Sequence, residues 1–358
     1  MNIRICILMI SCFILTETFG QGFYNRYSYR TKRHEITFGA GASSCLTDLG
    51  GGDEAARGFL WDIDLAKTNF TGNFSYVYNI SSRFSIRSSL SFAQISGDDA
   101  LTSEFYRNNR RLNFVTSLIE GAGIIEWEWI KARTGSRYNV RSPAGRYLGV
   151  KRGTGFGFYV FGGIGGVYFD PSGYDRFIDE NGRSIGSGVK YKLRPLQTEG
   201  KSYNNIAICV PAGFGIKKAF NSQGGIKLEA GYRFTNTDYL DDVSDVYYDW
   251  ENNGGSEAQI TMSGTRSGHT WNYIGYAVDE NGNPAPYPAE GTPDPTLTGL
   301  RPYRATYTHT EPGFQRGNPD NDDSYMFLTL SVYKKFTNRT KSYRTISVNR
   351  KRKVKASF

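Results

Sequence analysis

The stretch that most constrains this chain runs from Ile206 to Asp242. Between Ile226 and Phe234, residues Ile226, Leu228, Ala230, Tyr232 and Phe234 fall on one face, and Lys227, Glu229, Gly231 and Arg233 on the other. That is a strand period of two. Ile206, Ile208, Val210, Ala212, Phe214 and Ile216 keep the same phase, and only Asn221-Ser222-Gln223-Gly224-Gly225 separates the two runs. The pattern predicts a hairpin with a tight Asn/Gly turn. In a soluble sheet a second protein layer covers the oily face. No long helical period follows the first twenty residues while strands of this kind recur, so the covering layer is lipid.

Six further segments alternate in the same way. The first strand is Glu35 to Leu46, with Ile36, Phe38, Ala40 and Ala42 outward. The second is Phe70 to Ile80, with Phe70, Phe74, Tyr76, Tyr78 and Ile80 on one face. After a Ser81-Ser82 turn, the third places Phe84, Ile86, Leu90 and Phe92 outward and Arg87 inward. The fourth, about Leu112 to Ile130, sends Val115, Ile119, Ile125, Trp127 and Trp129 outward. A glycine-laden fifth strand, Phe156 to Phe169, ends at Asp170-Pro171. The opening hairpin supplies the sixth and seventh, and Tyr325 to Phe336 is the eighth. The expected fold is all-β: an eight-stranded antiparallel up-and-down transmembrane β-barrel with long outer loops.

The address agrees with such a fold. Residues 1–20 read as a signal peptide, with Arg4, an apolar core from Ile5 to Leu15, and Thr18-Phe19-Gly20 before the cleavage point; the core is too short to span a bilayer. Ile10-Ser11-Cys12 loosely resembles a lipobox, but the apolar run continues past Cys12. Residues 21–34 form a leader, 35–336 the barrel with its long outer loop 235–324, and 337–358 a basic tail. Cys45 and Cys209 read as small apolar strand residues. Of the net charge of +9, eight charges lie beyond Asn338, on residues that include Arg350, Lys351, Arg352 and Lys353. The body is nearly neutral, which excludes a general nucleic-acid surface. The tail reads as solvated chain or as a dock for an acidic periplasmic partner. The expected location is the cell outer membrane, in contact with its lipid.

An eight-stranded interior holds side chains and little else. Glu35, Arg87, Glu120, Glu126, Glu128, Lys227, Glu229 and Arg233 are expected to point inward and neutralise one another, because isolated buried charges are too costly. That argues against a porin, and the polar interior argues against a lipocalin-type ligand barrel. No catalytic set is expected. His269 and His309 share one long loop without a spaced serine or acid, and His34 precedes the first strand. Asp238, Asp241, Asp242 and Asp245, and separately Asp320, Asp322 and Asp323, lack the glycine and glutamate of an EF-hand loop, so they read as acidic turns or helix starts in preference to calcium sites. Asp279-Glu280-Asn281-Gly282 repeats Asp179-Glu180-Asn181-Gly182 as turn chemistry. No cofactor, metal or small-molecule substrate is expected.

Five runs resemble the PorG family: Gly41 to Gly51 (GASSCLTDLGG), Gln94 to Asp98, Gly162 to Pro171, Leu196 to Gly200 and, most specifically, Tyr232 to Val243 (YRFTNTDYLDDV). Members are outer-membrane barrels associated with the type nine secretion system of Bacteroidetes. The resemblance implies a non-enzymatic secretion component that anchors a periplasmic ring of the PorK and PorN type. It singles out Asp48, Gly50, Asp98, Thr237, Asp238, Tyr239, Leu240, Asp241 and Asp242 as motif residues. The alternative is a surface-exposed barrel that binds ligands or surfaces through loop 235–324.

Overall fold

The structure, a computed structural model, describes residues 28–49, 68–102, 105–132, 155–178, 183–221, 223–267, 271–275, 303–307 and 310–337. Eight long strands form the wall: β1 (His34–Leu46), β2 (Asn69–Asn79), β3 (Phe84–Asp98), β4 (Asn113–Ile130), β5 (Phe156–Tyr174), β7 (Ile206–Ala219), β8 (Gly224–Thr235) and β11 (Ser324–Phe336). Three short strands, β6 (Lys190–Lys192), β9 (Trp271–Gly275) and β10 (Tyr303–Tyr307), belong to the loops. Each wall strand pairs antiparallel with its chain neighbour, and β1 pairs with β11 from His34↔Phe336 to Leu46↔Ser324. The sheet therefore closes on itself. Closure leaves no wall edge for another chain to extend.

The expected phase is the observed one. Phe70, Phe92, Ile125, Trp129, Ile164, Phe214, Leu228 and Leu330 stand exposed on the outside, while Glu35, Arg87, Glu120, Glu126, Lys227, Glu229 and Arg233 are buried inside. No helix among the described residues is long and apolar enough to cross a membrane; the wall itself presents the apolar face. Strand β5 runs past the expected stop, to Tyr174. Pro171 is tolerated there because β7 leaves β5 after Tyr168, and the short β6 then takes up that edge over Ser172 to Tyr174. The glycines of β5 allow the narrow bore: a Cβ on Gly163 would lie 2.2 Å from the Gly123 carbonyl.

The start of β1, the end of β11 and the tight turns after β2 and β7 lie at one end, the turn end. Ser81 accepts from the amides of Arg83 and Phe84, and Asn221 from those of Gln223 and Gly224. The connections after β1, β3, β5 and β8 lie at the other end, the loop end. There their described parts fold over the barrel mouth, with helices α1 (Phe105–Arg110) and α2 (Glu257–Ser263). Ser256 and Gln259 cap α2 reciprocally, and Gly264 ends it in the left-handed conformation. The signal segment, most of the connection between β4 and β5, both Asp-Glu-Asn-Gly turns, Gly50, His269, His309 and the basic tail lie outside the described residues.

Replacing Ile164 or Leu330 by lysine is expected to destabilise the barrel in phospholipid vesicles by about 2–4 kcal/mol, measured by denaturant titration. An exposed position in a soluble protein shows no such cost.

Candidate functional site: the filled lumen and its acidic cap

Three tiers of side chains fill the lumen. Nearest the turn end, Glu35 of β1 gathers three lysines from three strands: Lys227 at 2.6 Å, Lys217 at 3.1 Å and Lys335 at 3.5 Å. Glu128 reaches the same tier from β4, 3.5 Å from Lys217. Above it, Arg87 lies 2.6 Å from Glu229 and 3.1 Å from Glu126, with the Tyr159 hydroxyl also donating to Glu229. The Arg87 guanidinium covers the Phe161 ring at 4.8 Å. Higher still, Arg233 Nε and the Tyr325 hydroxyl donate to Glu120 at 3.2 and 2.8 Å. Each buried carboxylate meets a cation from another strand, the condition under which charge can stay inside. Lys217 and Tyr159 share the inward phase of β7 and β5, so the alternation that placed Arg233 could have found them.

The upper bore departs from an ionic interior. Ile95, Phe114, Leu118, Val167, Phe169, Cys209 and Phe327 form an apolar collar, and the segment after β8 descends into it. Leu240 and Val243 are fully buried there, and the Leu240 carbonyl accepts from Thr116 of β4 at 2.6 Å. Apolar plug against apolar collar excludes water from the mouth.

The five runs that carry the family resemblance converge at this mouth. Asp241 accepts from the amides of Leu49 and Val243, each at 2.9 Å. Asp242, held at a φ of +69°, accepts from Thr198 and Tyr203, both at 2.5 Å. Tyr203 stacks between Phe169 and Tyr239. Glu199 accepts from the amides of Ser244 and Asp245 and from Arg316 at 2.9 Å. Arg316 also donates to the Asp242 carbonyl at 2.6 Å. Asp48 accepts from the Asn318 amide, and Thr237 gives its carbonyl to the Asp323 amide. Asp98 caps the turn that begins at Asp99, which pairs with Arg110. Gly97 permits this junction, since a Cβ there would lie 2.4 Å from the Leu49 carbonyl. Nothing in the sequence signals Arg316.

The cap is an acidic turn rather than a helix start. Among the described residues no group of three or more His, Cys, Asp or Glu side chains is arranged to hold a metal ion. Burial pushes the carboxyls of Asp238 and Asp241 up to about 8, helped by the charge of Asp48 nearby. Burial also raises Asp242, to about 6, against the pull of Arg316, and holds Asp323 well above the usual range. Burial thus favours the protonated form of each of these carboxyls.

The chain has the fold of an outer-membrane β-barrel. No family model and no curated protein matches it. Among solved structures it is similar to Neisserial surface protein A, at 9% identity and a TM-score of 0.28, over 85% of this chain and 97% of that one. It is similar also to the attachment invasion locus protein Ail of Yersinia pestis, in complex with the heparin analogue sucrose octasulfate. That match has 8% identity and a TM-score of 0.30, over 85% of this chain and 99% of that one. The fold assignment rests on this chain's own strand pairing.

Glu35→Ala leaves three lysines facing one another and is expected to cost about 3–5 kcal/mol in denaturant titration. Glu35→Ala combined with Lys227→Met should recover part of it. Because the cap carboxyls titrate higher folded than unfolded, their contribution is complete below about pH 4 and is lost as pH rises through about 8. Limited proteolysis of the folded barrel should therefore cut the loop-end segments faster at alkaline pH, and Asp238→Asn should flatten that dependence.

Proposed function

We propose that this protein is a non-enzymatic scaffold of the outer membrane, held by its apolar wall, that docks an acidic periplasmic partner at its turn end. The observation that carries this reading is the charge of that end. Arg30, Lys32, Arg33, Arg83, Lys131, Lys218 and Lys334 lie on or beside its rim. The acids of the same tier, Glu35 and Glu128, are drawn into the lumen on Lys217. The basic tail, with Arg350 to Lys353, continues from the same end. A sealed bore leaves the protein nothing to conduct, so its two ends are its working surfaces. The PorG resemblance supplies the partner class: a periplasmic ring of the PorK and PorN type within a type nine secretion system.

A second reading assigns binding to loop 235–324. The exposed Val246 and Phe314 side chains, beside the Val246↔Gln315 bridge, favour it.

The test is reversal of the rim charges, Arg83→Glu with Lys218→Glu and Lys334→Glu, in the full chain expressed at native level. The scaffold reading expects the barrel to insert normally, to lose at least about ten-fold of its co-purifying periplasmic protein, and to stall export of unrelated cargo. Intact export with lost surface adhesion assigns the work to the outer loop instead.

A further inference from the structure

The outward stripe of β5 does not end where the apolar band ends. Going up the strand it reads Phe156, Phe158, Val160, Gly162, Ile164, Gly166 and Tyr168, and then Asp170, Ser172 and Tyr174. Beyond Tyr168, β6 lies alongside, with Ser172↔Lys192 and Tyr174↔Lys190 in register. Residues paired across two strands share a face, so both lysines stand on the outward side with Tyr174. With about 3.3 Å of rise per residue and a strand tilt near 40°, Lys192 stands roughly 10 Å above Tyr168 along the barrel axis, and Lys190 roughly 15 Å. An aromatic such as Tyr168 at the end of an apolar band marks the membrane interface. The lysines are thus level with the head groups and first sugars of the outer leaflet, and they face the lipid instead of the barrel mouth.

Arg176 and Arg194 extend the ridge. Arg176 is mostly exposed and lies over the Tyr174 ring at 4.8 Å, with Lys190 at 5.7 Å from the same ring. Arg194 is exposed and donates to the Tyr203 carbonyl. Two of these cations meet an acid. Asp170 takes Lys192 at 2.7 Å, Asp98 stands 3.8 Å from Arg176, and Asp175 is turned inward onto Ser187. The exposed apolar side chains of Ile185 and Val189 lie in the segment that leads into β6, as suits a surface that rests on lipid. Elsewhere on the rim the outward positions of the described strands carry no cation: Ser44 and Leu46 on β1, Phe70 on β2, Gln94, Ser96 and Asp98 on β3, Val115 and Ser117 on β4, Ile206 on β7, Phe234 on β8 and Ser324 on β11. Among the described wall strands and the β6 edge, the outward cations at this height are thus those beside β5.

We propose that this ridge, centred on Lys190, Lys192 and Arg194, is a binding site for the phosphoryl groups of an outer-leaflet glycolipid. Lysines as point charges and arginine as a planar fork both suit phosphate, and the Tyr174 ring fixes the ridge's geometry. The site lies at the end opposite the docking rim, so it stands or falls apart from the scaffold reading.

The experiment is native mass spectrometry of the full-length barrel in mild detergent, titrated with diphosphoryl lipid A and with its dephosphorylated form. The wild type should retain the diphosphorylated lipid and not the other. Lys190→Gln with Lys192→Gln and Arg194→Gln should weaken retention roughly ten- to hundred-fold, while Lys201→Gln with Arg266→Gln, exposed cations of the cap, should leave it unchanged. Heat-modifiability on gels checks that each variant is folded. Equal retention of both lipids, or undiminished retention by the ridge variant, overturns the proposal. So does displacement of the lipid by millimolar inorganic pyrophosphate to the same extent from the wild type and from the ridge variant, which places the lipid elsewhere.

Discussion

A charge inside a narrow barrel must find its opposite or leave. Glu35 is fully buried at the base of this bore, and the strands must be in register for three lysines from β7, β8 and β11 to reach it. A one-residue slip in any of these strands would turn its lysine out into lipid and its apolar partners in. The ionic tiers therefore fix the register of the wall. Breaking one partner costs more than the pair contributes, which suits a device that selects one arrangement against its neighbours.

Register in turn positions the cap. With β8 and β11 fixed, Thr235 and Ser324 stand opposite the collar, and the segment between Thr237 and Val243 drops its two apolar side chains into it. Four other segments, distant in sequence, then supply the groups that satisfy its backbone and its carboxylates. Arg316 ties Glu199 to Asp242, and Arg110 ties Asp99 to the Arg316 carbonyl. The result is a barrel closed by salt bridges at one end and by an apolar plug at the other, with lipid around it. What remains for partners is the turn-end rim and the outside of the loop end.

The wall was almost wholly legible because side-chain alternation is a local property, written in the order of residues on each strand. The eight strands and their outward faces follow from period alone. The extension of β5 past Pro171 did not, because it depends on where β7 departs, a fact of pairing and not of local sequence. The cap was legible only as a set of separate motifs. That Asp48, Thr198, Glu199 and Asp241 meet at one mouth follows from barrel closure, and Arg316 joins them from a segment with no pattern of its own. Acidic clusters likewise carry no sign of whether they stay in water or are buried; here Asp241, Asp242 and Asp323 are buried against backbone amides and the hydroxyls of Thr198 and Tyr203.

The rest of the structure depends on a lumen that is filled from end to end. Single-channel recording of the purified barrel in a planar lipid bilayer tests it most directly, under applied potential and at neutral pH. A filled lumen gives no unitary current at any potential the bilayer withstands. A stable, reproducible unitary conductance would show a continuous aqueous path through Glu35, Arg87 and Leu240, and would contradict the account.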